Sequence, residues 1–309
     1  MNGSHNPRVV LSGASGMIGR ALYDSYLADG YDVTLLVRGS STVRPARPQD
    51  GGTLAEVPWR PGEQLDPEVL RGAEAVICLN GATIGKLPWT RAYRRQLYDS
   101  RVIPALTIAR AIRELGGEAP FFACASAVGY YGHIPNVQLT EQSPAGSTFL
   151  ARLCVLWERA AATAGKNVAT LRTSPILDKA GMLAPMMLLT KLGLGGPLGP
   201  GTQSWGWVSL EDEVRAIRFI VEQRITGPVN IAGPEPATAN KIGKELAGQM
   251  HRPFCFPVPS WLLKAVLGAD PAQSLLLTDA DVRPEKLLKA GFEFRHPTVS
   301  KAVAAGLAR

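Results

Sequence analysis

Apolar positions in the first half of the chain form short continuous runs, separated by longer stretches with helical spacing. RVVLSG leads into GMIGRALYDSYLADG, and DVTLLVR into a Pro/Gly-rich loop. TLAEVPW precedes a short helix near DPEVLRG, and AEAVICLN a long loop and then a helix over 102–115. FFACASA, a helix over 148–164 and NVATLRTS complete the series. Strands that are apolar along their whole length are buried on both faces, and their alternation with helices predicts a parallel sheet covered on each side. Right-handed crossovers make this a Rossmann-type, doubly wound α/β fold.

After Ser174 the texture changes. KLGLGGPLGPGTQSWGW is too rich in Gly, Pro and Trp to be one regular element. SLEDEVRAIRFIVEQ returns to helical periodicity, with Val214, Ile217, Ile220 and Val221 on one face. PVNIAG reads as a strand, and helices are expected near 239–250, 260–267 and 284–290. The expected organisation is a disordered lead over 1–7, a nucleotide-binding domain over 8–175 and a smaller α/β lobe over 176–309, some of whose chain crosses back to the sheet.

Composition narrows the class. With 46% hydrophobic and 19% charged residues the chain is an ordinary globular protein. No apolar run is long enough to span a bilayer, and the start MNGSHNPRVV lacks the basic and apolar regions of a secretory signal, so a cytoplasmic protein without a membrane partner is expected. The formal charge of +7 is spread along the chain; its one dense cluster, TRAYRRQLYDSR, is mixed with Asp and Tyr. That pattern suits an anionic small ligand better than nucleic acid. Cys78, Cys124, Cys154 and Cys255 show no C-x-x-C spacing and sit in apolar stretches, which predicts buried, reduced thiols. Four scattered histidines give no metal-ligand spacing, and no metal is expected.

The candidate chemistry begins at VVLSGASGMIGRAL. Gly13, Gly16 and Gly19 form G-x-x-G-x-x-G between a strand and an amphipathic helix. Such a turn lets backbone approach a pyrophosphate, and the helix N-terminus offers free N–H groups and the positive end of its dipole. Ser15, Met17 and Ile18 lie within it. The second strand ends on Arg38, followed by Gly39, Ser40 and Ser41. A guanidinium and hydroxyls there suit a 2′-phosphate, so NADP (NADPH) is expected over NAD. Leu79, Asn80, Gly81 and Ala82 end the fourth strand beside the adenosine or ribose. Ala125 and Ser126 end the fifth near the nicotinamide, and Ser174 ends the sixth.

These residues resemble the short-chain dehydrogenase/reductase superfamily in its extended, epimerase-like branch, over nearly the whole chain. GASGMIG, NGATI followed by Trp89 and YDSR, SAVGYYG, LGLGGPLGPG followed by WGWVSLED, GPVNIAGPEPAT and RPEKLLKAGFEFRHP are similar to an atypical subgroup of NAD-dependent epimerase/dehydratase-like proteins, once labelled cell-division inhibitors by homology. The resemblance implies an NADP-binding fold with a C-terminal substrate lobe and leaves the substrate open. One departure is Ser209, where the subgroup often has histidine in Trp-Ile-His-Ile-x-Asp; Asp212 matches the aspartate.

A larger departure concerns acid–base chemistry. The superfamily typically carries Tyr-x-x-x-Lys on the helix after the fifth strand, one face presenting both side chains. Here that helix reads FLARLCVLWERAA, and Phe149/Leu153 or Leu150/Cys154, depending on register, occupy the two positions. Neither pair transfers a proton. One alignment puts Ala127 at the usual catalytic serine with Ser126 a step before it; the other puts Ser126 there and makes Tyr130 the matching tyrosine. Ser126, Tyr130 and Tyr131 are therefore the candidate catalytic groups, with His133 close in sequence. Trp89, Arg101 at the start of the next helix, and Trp207 are candidates for the substrate cleft, with Lys86 and Trp205 nearby. The reading is an NADP(H)-binding epimerase or oxidoreductase of undefined small-molecule substrate, or a non-catalytic NADPH sensor, acting as monomer or homodimer.

Overall fold

The computed structural model describes residues 6–39, 47–48 and 52–309. Most of the lead expected over 1–7, together with Ser40 and Ser41, lies outside those residues. Across the main sheet the strand order is β3 (Arg47–Pro48), β4 (Thr53–Trp59), β2 (Asp32–Arg38), β1 (Arg8–Ser12), β5 (Ala75–Cys78), β6 (Phe121–Ala127), β8 (Val168–Thr173) and β9 (Gly227–Ile231). All pairings are parallel except the two-residue contact of β3 with β4.

The period-two alternation of each strand divides its side chains between two cores. Val9, Leu11, Ala75 and Ile77 face α1 (Met17–Ala28), meeting Leu22 and Tyr26. Val10, Val76, Cys78 and Phe122 face the opposite side, meeting Ile108 and Ile112 of α2 (Arg91–Glu114) and Trp157 of α3 (Phe149–Ala162). Helices therefore cover both faces, as the apolar strands required.

Helix α2 starts at Arg91, eleven residues before the expected 102, so Arg101 lies mid-helix and does not open it. Thr90 caps the helix by accepting from the Tyr93 amide. The charged run carries a hidden apolar stripe: Tyr93 and Leu97, one turn apart, pack with Phe149, Leu150 and Leu153 of α3.

Beyond β8 the chain forms α4 (Leu183–Lys191), then returns to the sheet through α5 (Leu210–Glu222) and β9. Helix α5 lies beside α1, with Val214, Ile217, Ile220 and Val221 all buried. The remainder supplies α6 (Ala239–Gln249), α7 (Ser260–Leu267), α8 (Ala269–Leu275), α9 (Glu285–Lys289) and α10 (Val299–Ala308). A separate core holds Leu177, Trp207, Ile242 and Val299. A small parallel pair, β7 (Ile134–Leu139) with β10 (Ala280–Val282), joins the loop after β6 to the C-terminal lobe.

Candidate functional site

The chain runs outward from β1 to β2 and β4 on one side, then from β5 to β6, β8 and β9 on the other. The connections leaving β1 and β5 part in opposite directions, and a crevice opens at their carboxyl ends. Gly13 lies there with φ +84°, and a Cβ on it would stand 2.6 Å from the Leu79 carbonyl carbon and 2.9 Å from the Asn80 nitrogen. A Cβ on Gly19 would stand 2.5 Å from the Gly13 oxygen. Glycine is thus required twice: the β1 turn is pressed against the β5 exit, and α1 against the turn. Gly16 begins α1 without a side-chain cap, and no acidic residue occupies the first turn. The first amides of the helix, at Met17 and Ile18, keep their capacity for an anion. Ser15 is exposed beside them.

A cleft of about 680 Å³ adjoins this turn, lined by Arg38, Pro61 and Asn80–Ala82 on one side and by α2, including Arg95, Ser100 and Ile103, on the other. Arg38 shares strand parity with Leu36, which packs in the α2-side core, so its exposed side chain leaves the strand toward the cleft. Arg101 braces the cleft floor from behind. Its guanidinium donates to the Ala82 carbonyl at 2.9 Å and the Leu97 carbonyl at 3.1 Å, and lies 5.3 Å above the Trp157 ring. Burial draws its pKa down, and a Cβ on Gly81 would stand 3.1 Å from the guanidinium carbon, so the two are closely packed.

At the end of β6, Ala125 is half-buried and Ser126 buried. The Ser126 hydroxyl donates to Glu158 at 2.7 Å, and Glu158 holds Arg172 through two hydrogen bonds of 2.8 and 2.9 Å. Arg172 donates to the Tyr131 hydroxyl at 2.9 Å, which donates in turn to Asn230 at 2.6 Å or to the Thr140 carbonyl at 2.9 Å. Burial pushes the Tyr131 phenol up to about 12, against the opposing pull of Arg172. Burial alone would lower Arg172; Glu158 and Tyr131 outweigh it and raise its pKa. The Tyr130 ring stacks on the same guanidinium at 3.5 Å, half-buried, with no hydrogen bond at its hydroxyl.

The structure therefore brings Gly13–Gly19, Leu79–Ala82 and Arg38 to one crevice, and gathers Ser126, Tyr130 and Tyr131 in a second cluster around Arg172. Ser174 is buried at the end of β8 with its hydroxyl unpartnered. Trp89 and Trp207 do not stand at a surface. Trp89 packs with Tyr93 and Phe149 and donates to the Ile84 carbonyl. Trp207 lies in the C-terminal core and donates to the Glu235 carbonyl; Trp205 is buried with it. Lys86 lies over the Tyr93 ring, and the His133 imidazole accepts from the Asp279 amide. The thiols of Cys78, Cys124 and Cys154 are buried, whereas Cys255 is exposed, contrary to expectation. Its backbone is tied to Gly195 and its side chain turns outward from a proline-bounded loop.

Three participants were not anticipated. Glu158 and Arg172 had a readable signal, since a charge inside the apolar strand VATLRT requires a buried partner. The third, Glu213 on α5, is fully buried, and burial raises its carboxyl to about 8 against a hydrogen bond from Thr173. At Ser209, where the subgroup's histidine is missing, an imidazole arrives from elsewhere: the hydroxyl lies 2.9 Å from Nδ1 of His296 and 3.0 Å from Asp212. Among the described residues no cluster of His, Cys, Asp and Glu fits a metal ion, and no helix is long and apolar enough to cross a membrane.

The profile of the NAD dependent epimerase/dehydratase family matches residues 9–232, and that of a domain of unknown function matches residues 258–305. An epimerase family protein of Mycobacterium bovis is 36% identical over 96% of this chain and 97% of its own length. A chloroplastic epimerase family protein of Arabidopsis thaliana is 31% identical over 96% of this chain and 86% of its own. Among solved structures, human epimerase family protein SDR39U1 with NADPH superposes with a TM-score of 0.84 at 25% identity, covering 98% of this chain and 100% of that one. A nucleoside-diphosphate sugar epimerase from Corynebacterium glutamicum superposes with a TM-score of 0.73 at 29% identity, covering 98% of this chain and 58% of that one.

Proposed function

Because this chain belongs to the NAD dependent epimerase/dehydratase family, we propose that it binds NADP(H) and acts as an epimerase or oxidoreductase without the usual Tyr-x-x-x-Lys pair. The observation that carries the cofactor reading is the Gly13 turn, where a side chain is sterically forbidden and the first amides of α1 are uncapped. The pyrophosphate is assigned to this turn, with Ser15, Gly16, Met17 and Ile18. Leu79, Asn80 and Gly81 flank the adenosine, Ala125 and Ser174 the nicotinamide end, and Arg38, followed by Ser40, meets the 2′-phosphate. The NADPH bound by the human relative supports this choice.

The nicotinamide supplies or accepts hydride; the chain's own task is to hold a substrate and move a proton. Phe149, Leu150, Leu153 and Cys154 are buried in α3 and do neither. The Ser126 and Tyr131 hydroxyls are engaged in the Arg172 network, which leaves Tyr130 as the phenol free to donate. The same engagement favours a second reading, an NADPH sensor that orders its lobes without turnover. The buried unpaired thiols support a reducing, cytoplasmic setting for either.

Titration with NADPH and NADH, followed by assays with carbonyl compounds and nucleotide sugars, tests both readings. Arg38→Ala is expected to weaken NADPH by about tenfold or more while sparing NADH; an equal effect on both refutes the 2′-phosphate assignment. Turnover lost in Tyr130→Phe supports the relay. Tight NADPH binding with neither oxidation nor epimerised product assigns the sensor role.

A further inference from the structure

One face of the C-terminal lobe is explained neither by the nucleotide crevice nor by the lobe's core. Helix α4 and the loop after it turn Leu188, Leu189, Leu192 and Leu194 to solvent; α7 does so with Trp261, Leu262 and Val266, and Phe256 lies on the strand-like segment between. The exposures are large: 61% for Leu188, 65% for Leu192, 69% for Trp261 and 72% for Val266. Amides of Cys255 and Phe256 donate to the Gly195 carbonyl and that of Val258 to Pro197, which knits the two segments into one surface. Most of the strongly exposed apolar side chains among the described residues fall on it.

Its charges are as selective as its apolar groups. Residues 184–199 and 251–267 contain Lys191, Arg252 and Lys264 and not one Asp or Glu. All three cations are exposed, and no ion pair or side-chain hydrogen bond among the described residues claims them. The nearest acid in sequence, Asp270, is engaged by Arg94. An apolar surface fringed by unpaired cations, with an exposed tryptophan among its apolar groups, is complementary to an anionic lipid interface. Aliphatic side chains and the indole enter the acyl boundary while lysine stems keep their ammonium groups among the headgroups. Two copies apposed through this face would set Lys191, Arg252 and Lys264 of one against the same cations of the other, and neither segment supplies an acid.

We propose that this face adsorbs to anionic lipid membranes, reversibly and without spanning them, independently of what the nucleotide crevice does. Helix α7 has only eight residues, far too few to cross a bilayer.

Tryptophan fluorescence offers a direct test with the intact protein. Trp59, Trp89, Trp157, Trp205 and Trp207 are buried, so a change on contact with a membrane reports Trp261. Vesicles of two parts phosphatidylcholine to one part phosphatidylglycerol are expected to shift the emission to the blue and to sediment the protein; vesicles of phosphatidylcholine alone are not. The double substitution Lys191→Gln, Lys264→Gln should weaken partitioning about thirtyfold, and added salt should weaken it further. Trp261→Phe should lose the spectral shift but still sediment, whereas Leu192→Glu should show neither the shift nor sedimentation. Unchanged melting and NADPH titration in these surface variants separate loss of docking from loss of fold. Absence of sedimentation with anionic vesicles, or equal affinity for neutral ones, overturns the proposal. So does a concentration-dependent dimer in light scattering that Leu192→Glu dissolves, since the face would then belong to a second copy.

Discussion

The Glu213 carboxyl is wholly out of water, with one oxygen accepting from Thr173 at 2.7 Å and the other unpartnered. Desolvation raises its pKa to about 8 from an ordinary 4.5. The folded protein therefore retains a proton that the unfolded chain has released throughout the window between those values. Stability is lost as pH rises through it and levels off above about 8. Glu213→Gln keeps the same pattern, an oxygen for Thr173 and an N–H without a partner, but cannot ionise. Between pH 4.5 and 8 its unfolding free energy should fall by roughly 2–4 kcal/mol less than that of the parent, measured by urea unfolding; parallel pH profiles would refute a buried neutral acid. Sequence reading placed 213 on a helix but did not single it out, because acids are common in a first turn and only the packing of α5 on the sheet shows which one is buried. Gly13 was readable because a glycine after an apolar strand and before an amphipathic helix has few other uses.

Among the elements, α3 is built for packing. Its Phe149, Leu150 and Leu153 meet Tyr93 and Leu97 of α2, while Trp157 and Ala161 reach the sheet. The only charge it sends inward is Glu158, which spans α3, β6 and β8 by engaging Ser126 and Arg172 together. Removing one member of such a pair leaves the other as an uncompensated buried charge, which costs about 3–5 kcal/mol. Glu158→Ala should therefore lower the unfolding free energy by about that amount. It should also loosen the Tyr130–Tyr131 turn, seen as faster amide exchange there; a loss below about 1 kcal/mol would mean the pair is solvent-screened. The apolar stripe of α3 was legible from its spacing. The first three turns of α2 were not, since TRAYRRQLYDSR shows charges at most positions and its buried face emerges only when α3 is laid beside it.

At the scale of the whole molecule, alternation of apolar strands with helices was enough for the parallel sheet, because no other arrangement buries both faces of such strands. What it left open was how the last third is attached. The β7–β10 pair joins segments about 140 residues apart, and its outward residues carry no apolar pattern. A second attachment is Asp212 at the start of α5, whose carboxylate accepts from the amides of Arg295 at 2.7 Å and His296 at 2.9 Å and from the Ser209 hydroxyl at 3.0 Å. Since α5 packs on the sheet and Arg295 and His296 lead into α10 of the lobe, this side chain fastens one to the other. Asp212→Asn replaces one acceptor oxygen by an N–H and leaves a buried amide facing a donor. The expected cost is about 1–3 kcal/mol. Exchange should accelerate at the amides of Arg295 and His296 while those of β1 and α1 keep their protection. Uniform acceleration across the sheet would instead show that the attachment is part of global stability, with the lobe unable to loosen on its own.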